Sequence, residues 1–162
     1  MKKFSQTCEW VAFQHKSDLP ENEQVLLQRA HEARSRAYAP YSRFSVGAAL
    51  ILEDGTIIEG NNQENAAYPS GLCAERVAIF WTGANHPGKK IIAMAITASS
   101  DLFTSDKPIA PCGACRQAML EYELNQKEPI QLIMQGGDGD IIKMDGVKNL
   151  LPIYFHEDGL KK

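Results

Sequence analysis

Apolar residues follow two alternating rhythms along this chain. Over residues 21–38, Leu26, Ala30, Ala33 and Ala37 fall on one stripe at helical spacing, with acidic side chains in the first turn where they suit the helix dipole. Ala39-Pro40-Tyr41-Ser42 breaks that helix. Residues 44–52 then read as a strand, Asp54-Gly55 is a hairpin signal, and residues 56–60 return as the second strand. Helical spacing resumes over residues 72–82 and ends in the Gly and Pro of residues 83–88. Residues 91–98 are almost continuously apolar, as expected of a strand buried on both faces. Pro111 suits the first position of a helix that runs to about Leu124. Residues 130–134 form another buried strand, residues 136–140 turn, and residues 141–144 pair back. The turn's Asp-Gly-Asp loosely resembles a calcium loop but lacks the downstream ligands, so it reads as a hairpin. Residues 147–160 predict an irregular tail with one short helical turn.

This order predicts an α/β fold with three layers, α/β/α, around a mixed central sheet of about five strands with helices on both faces. Residues 21–162 form one domain in this reading, preceded by an N-terminal arm of residues 1–20. Within the arm, residues 7–15 have some strand character from Trp10, Val11 and Phe13. Two readings stay open there. One is a frayed arm. The other is an extra strand or a contact with another subunit, because exposing Trp10 and Phe13 is costly.

Composition narrows the classes. The net charge is -3 and no block of Lys or Arg occurs, which argues against a nucleic acid partner. No apolar run approaches the roughly 18 residues that a membrane span needs. The start has two lysines but no apolar core of a secretory signal, so a cytoplasmic protein is expected. Four cysteines in that setting point to metal binding or catalysis before disulfides.

Three of those cysteines suggest one site. Cys112 and Cys115, three apart at a helix start, can turn both sulfurs to one ion. Alone that spacing also fits a redox motif, which would need nothing from Cys73. A catalytic zinc site needs a third ligand and an open fourth position, and Cys73, also near a helix start, supplies the third. A purely structural all-cysteine site would need a fourth thiolate, and the remaining Cys8 lies far off and reads as an inert or buried thiol. His15, His31, His86 and His156 show no ligand spacing. Three thiolates leave the site anionic, so Arg76 and Arg116 are expected to donate to the sulfurs. Glu75, two residues past Cys73, is placed to take a proton from metal-activated water and return it to a substrate, as in zinc deaminases. The polar run of residues 61–65 is suited to sugar hydroxyls, or else is a solvated turn.

Four segments carry a resemblance. Tyr41-Ser42-Arg43-Phe44-Ser45-Val46-Gly47-Ala48-Ala49, Asn62-Gln63-Glu64-Asn65-Ala66, Cys73-Ala74-Glu75-Arg76 and Pro111-Cys112-Gly113-Ala114-Cys115-Arg116-Gln117 are similar to the small, homotetrameric cytidine deaminases, over about residues 22–160. The ending of residues 150–155 also resembles that family's C-terminal segment. The resemblance implies Zn²⁺ as cofactor and cytidine and deoxycytidine as substrates. Asn62 and Glu64 would bind the ribose 3′-hydroxyl, Phe44 would pack on the pyrimidine, and the Ala74 N–H would meet the base O2. Phe155 would reach a neighbouring subunit's site in a homotetramer. Glu75 would move protons from water to N3 and to the departing 4-amino group, giving uridine and ammonia. The chain departs from the family in carrying Ala110 where Ser is common, Gln63 where an aliphatic residue is usual, and the arm itself. Two alternatives remain: a deaminase of another cytosine compound such as blasticidin S, and a non-catalytic zinc-stabilised binding module.

Overall fold

Alternation along the central strand decides the layers. In the computed structural model, which describes residues 1–104 and 107–160, β1 is Val11–Phe13, α1 is Glu21–Arg34, β2 is Phe44–Leu52 and β3 is Ile57–Asn61. Then come α2, Ala74–Asn85; β4, Ile91–Ser100; α3, Gly113–Gln126; β5, Gln131–Gly136; and β6, Ile141–Asp145. Positions 105 and 106, between the strand expected over 91–98 and the helix expected from Pro111, and 161–162 at the end of the expected domain, lie outside the described residues. On β4, Ala93 and Ala95 join the core under α1, with Leu26, Leu27, Ala30 and Ile133. Met94 and Ile96 join the larger core on the other face, with Leu50, Ile79, Met119, Leu120 and Leu132 beneath α2 and α3. Each large side chain buried there stabilises the fold by about 1.5–3 kcal/mol. The alanine-lined side allows a close approach. At Gly47 of β2 an added Cβ would stand 2.1 Å from the Ala30 carbonyl oxygen.

The sheet order is β1-β6-β5-β4-β2-β3. Among the described strands only β4 and β5 run parallel, joined by the crossover through α3, and the other neighbours are antiparallel. The α/β layering is as the sequence predicts, but the sheet has six strands where about five were expected. The sixth is β1, paired from Val11↔Lys143 to Phe13↔Ile141. It lies within residues 7–15, where an extra strand was one of the two open readings, and it forms where β6 offers an edge. Phe13 packs against the α1-side core, while Trp10 stays 57% exposed and Cys8 is exposed rather than buried.

Two boundaries shift for reasons outside the elements themselves. The helix expected over 21–38 stops at Arg34. Beyond it the Tyr38 N–H donates to the Asn62 carbonyl at 3.0 Å, and its carbonyl accepts from the Glu64 N–H at 2.9 Å. In the other direction, α2 runs past Gly83 to Asn85. Gly83 is where α3 crosses, since an added Cβ would stand 2.3 Å from the Tyr122 hydroxyl. Among the described residues, no helix is long and apolar enough to cross a membrane.

One buried carboxylate locks the end of α3. Glu123 is 4% exposed, and it accepts N–H bonds from Ile130 at 2.9 Å, Val147 at 2.6 Å and Lys148 at 3.0 Å. It thereby fixes the start of β5 and the 3₁₀ turn Val147–Leu150. Glu123→Gln removes the charge and one acceptor oxygen. The expected loss is about 3 kcal/mol in chemical denaturation, since bonds to a charged acceptor contribute ~1.5–3 kcal/mol each. A change under about 1 kcal/mol would mean that the three N–H groups find water instead.

Candidate active site

Two helices start at a cysteine. Cys73 is the N-cap of α2, at φ -72° and ψ 154°, and Cys112 is the N-cap of α3, at φ -66° and ψ 165°. An extended N-cap folds its side chain back over the first turn. Cys115 lies in the first turn of α3, so the three-residue step turns both of that helix's sulfurs to one side. The Cys73 and Cys112 Sγ atoms are 3.9 Å apart, and those of Cys112 and Cys115 are 3.5 Å apart. All three sulfurs lie within 4.8 Å of one another. A tetrahedral zinc with Zn–S bonds of ~2.3 Å sets its sulfurs about 3.8 Å apart. The triad therefore fits one zinc ion, and both helix N-termini favour the thiolate form there.

The thiols hold unequal shares of the protons. Cys73 is pushed down to about 5, first by the hydrogen bond from the Cys115 thiol and then by Arg76, whose Nη2 lies 3.8 Å from its sulfur. The same bond to Cys73, together with burial, pushes the Cys115 thiol up. A cation entering the triad must displace the Cys115 proton.

Glu75 lies in the first turn of α2 and is 4% exposed. Burial raises its pKa above the ordinary carboxyl value, and the negative charge of Cys73 raises it further. Glycine on β3 sets the depth of this turn. At Gly60 an added Cβ would stand 2.4 Å from the Ala74 carbonyl oxygen and 2.7 Å from the Ala78 nitrogen. Gly60→Ala is expected to push the start of α2 outward, costing ~1–3 kcal/mol and lowering activity and metal content together. Wild-type melting and turnover in that variant would show that the contact does not set the site.

Of the two guanidinium groups expected at the sulfurs, only Arg76 reaches one. Its buried Nε has no hydrogen-bond partner among the described residues. Arg116 instead donates from Nε to the Pro111 carbonyl at 2.8 Å and from Nη1 to the Leu150 carbonyl at 3.0 Å. It braces the loop entering α3 against the tail.

A cleft of about 620 Å³ opens beside the triad, lined by Cys73, Glu75, Arg76 and Cys112. Phe44, Asn62 and Glu64 also line it, so the polar run of residues 61–65 belongs to the cleft. Asn62 uses its amide to extend the sheet, accepting from the Val46 N–H at 2.8 Å and donating to the Phe44 carbonyl at 2.9 Å. Glu64 accepts from the Ser42 hydroxyl, the Tyr41 N–H and the Ser42 N–H. These bonds, the hydroxyl's foremost, hold its carboxyl below the usual range. Ala74 is buried at the start of α2, where its N–H is one of the first-turn groups a helix cannot pair internally. Phe155 is not in this chain's cleft. It is 70% exposed, and its carbonyl accepts from Gln117 Nε2 at 3.1 Å. The cleft also recruits residues to which the sequence assigned no role: Tyr41, Ser42, Tyr68, Ile96 and Ile109. Ser42 carried a local signal, a hydroxyl two residues before Phe44 that accepts its N–H at 3.0 Å. Tyr41 and Tyr68 meet edge to face, with centroids 6.1 Å apart, across a separation in sequence that no periodicity bridges.

Comparison with known proteins gives a consistent picture. A family model described as the cytidine and deoxycytidylate deaminase zinc-binding region matches residues 20–127. Cytidine deaminase of Sporosarcina psychrophila is 41% identical over 135 residues, covering 83% of this chain and 92% of that protein. Cytidine deaminase of Halalkalibacterium halodurans is 48% identical over 99 residues, covering 60% of this chain and 70% of that protein. Among solved structures, cytidine deaminase of Burkholderia pseudomallei superposes with a TM-score of 0.70 at 41% identity, covering 81% of this chain and 97% of that one.

Proposed function

The chain belongs to the cytidine and deoxycytidylate deaminase family, and on that premise we propose how its residues convert cytidine and water to uridine and ammonia. It is an enzyme, a zinc-dependent hydrolase that deaminates cytidine. Relatives do not favour an antibiotic deaminase or a non-catalytic binding module. The observation that most supports the residue assignment is the sulfur triad at tetrahedral spacing with a buried carboxyl two residues on, both at one cleft.

Cys73, Cys112 and Cys115 hold the zinc in this reading. Bound there, zinc supplies a Lewis acid that brings the pKa of water to near neutrality, so that a nucleophile is present at physiological pH. Glu75 takes one proton from water and passes it to N3 as the water oxygen bonds to C4 of the base. It then takes the second proton from that oxygen and delivers it to the 4-amino group, which leaves as ammonia as the C4–N bond breaks. Its raised pKa suits a group that must both accept and give a proton near neutral pH. Phe44 packs on the pyrimidine, and the Ala74 N–H meets O2. The Asn62 amide donates to the ribose 3′-hydroxyl and the ionised Glu64 accepts from it, and their own backbone bonds hold them in place. Arg76 reduces the negative charge of the triad through Cys73. Deoxycytidine is a second substrate, since the 3′-hydroxyl contact does not depend on the 2′-hydroxyl.

The protein acts in the cytoplasm as a homotetramer in this reading, with Phe155 entering a neighbour's cleft. Exposed apolar side chains support an assembly: Phe80 and Trp81 on α2, and Ile153, Phe155 and Leu160 in the tail. Light scattering should give four times the 17.9 kDa chain mass. The decisive assay is incubation with cytidine, reading absorbance loss and ammonia release. Activity should disappear with a chelator and return with zinc. A zinc-loaded preparation that releases no ammonia from cytidine would overturn the reading.

A further inference from the structure

We propose that Phe103, on the segment between β4 and α3, is a positioning residue for substrate, acting through the ring of Phe44. The two rings stack nearly parallel, with centroids 6.1 Å apart and planes 16° apart. Phe44 lines the cleft, whereas Phe103 is not among the lining residues and is 55% exposed. Phe44 thus presents one part of its ring to the cleft and carries Phe103 on another.

The chain builds this contact with care for a surface segment. Arg43 takes the left-handed backbone region, at φ 52°, which an L-residue adopts only when its surroundings impose it. Its carbonyl accepts from the Ser100 hydroxyl at 3.0 Å and from the Asp101 N–H at 3.3 Å. The Ser100 hydroxyl in turn accepts from the Leu102 N–H at 3.1 Å. The end of β4 is therefore wrapped around the residue preceding Phe44, and this delivers Phe103 onto its ring. The Phe44 backbone is held at both ends, by Ser42 Oγ on its N–H and by Asn62 Nδ2 on its carbonyl. Its ring rotation is not held that way. The torsion that sets the ring plane is broad, so a flat neighbour is what fixes it. An offset-stacked pair prefers near-parallel planes and couples the two rings.

The proposal rests on the reading that Phe44 packs against the pyrimidine, and the test separates the two. Phe103→Ala is expected to raise KM for cytidine roughly three- to tenfold, with kcat within about twofold, full zinc content and an unchanged melting temperature. Phe103→Tyr should restore KM, because it keeps a flat ring, and Phe103→Leu should not. In the Phe44→Ala background, Phe103→Ala should add nothing further. An unchanged KM in Phe103→Ala, or additive effects in the double variant, would overturn the proposal while a raised KM in Phe44→Ala left the cleft reading standing. If Phe44→Ala itself leaves KM unchanged, the reading of Phe44 fails and the proposal fails with it.

Discussion

Glu75→Gln is expected to lower kcat for cytidine by about 10²- to 10⁴-fold while zinc stays bound at one ion per chain. Gln keeps the volume and one acceptor but can neither take the proton from water nor return it to N3. The triad beside it is untouched, so metal analysis separates lost chemistry from a lost site. Stability should move the other way. Burial raises the folded pKa of Glu75 above its ordinary value of 4.5, so the folded chain holds a proton that the unfolded chain has released. Stability then falls as pH rises through the window between those two pKa values, and the ionised carboxylate is a net cost above it. In zinc-free protein, Glu75→Gln should therefore melt higher than wild type at neutral pH. The gap should close below about pH 4.5, where both side chains are neutral. Comparable turnover in wild type and variant would remove Glu75 from the chemistry. A lower melting point for zinc-free Glu75→Gln at neutral pH would contradict the buried-charge argument.

Cys115→Ala is expected to bring activity down to that of zinc-stripped enzyme and to remove the metal's contribution to stability. A ligand present at 1,000 times its Kd stabilises the folded state by about 4 kcal/mol, and a chain that cannot hold zinc forgoes nearly all of it. Cys115 is fully buried beside Met119 and Leu120, so the lost sulfur adds roughly 1 kcal/mol of packing cost. A chelator should lower the melting temperature of wild type and leave that of Cys115→Ala unchanged. Zinc affinity of wild type should fall as pH falls, since the Cys115 thiol is held protonated by its bond to Cys73 and the metal must displace that proton. Stoichiometric zinc in the variant would show that Cys115 is not a ligand.

The site was more legible than the fold's edges. Cys112 and Cys115 announce a shared face by their spacing alone, and Cys73 stands near a second helix start with Glu75 two residues on. Arg76 and Arg116 looked equivalent because each follows a site residue. They separate only in space, where Arg116 finds the carbonyls of Pro111 and Leu150 and Arg76 finds a sulfur. Likewise, nothing local predicts that Arg34 ends α1. The pairing of Tyr38 with residues 62–64 draws the chain out of the helix.

What the residues determined unaided is what depends on near neighbours in the chain: the two helices beside the cysteines, though their expected starts at Leu72 and Pro111 move to N-caps at Cys73 and Cys112, the two buried strands, the Asp54-Gly55 turn and the chemical class of the ligands. Spacings of two, three and four residues decide those. Tertiary structure decided what depends on contacts between distant segments. It brought Cys73 to 3.9 Å from Cys112 across 39 residues, buried Glu75 deeply enough to shift its proton affinity, recruited β1 to the edge of β6, and set Phe103 on Phe44. The physical reason is that burial, electrostatics and ring stacking act through space at a few ångströms, and the pattern along a chain is blind to which distant residues the fold will bring within that range.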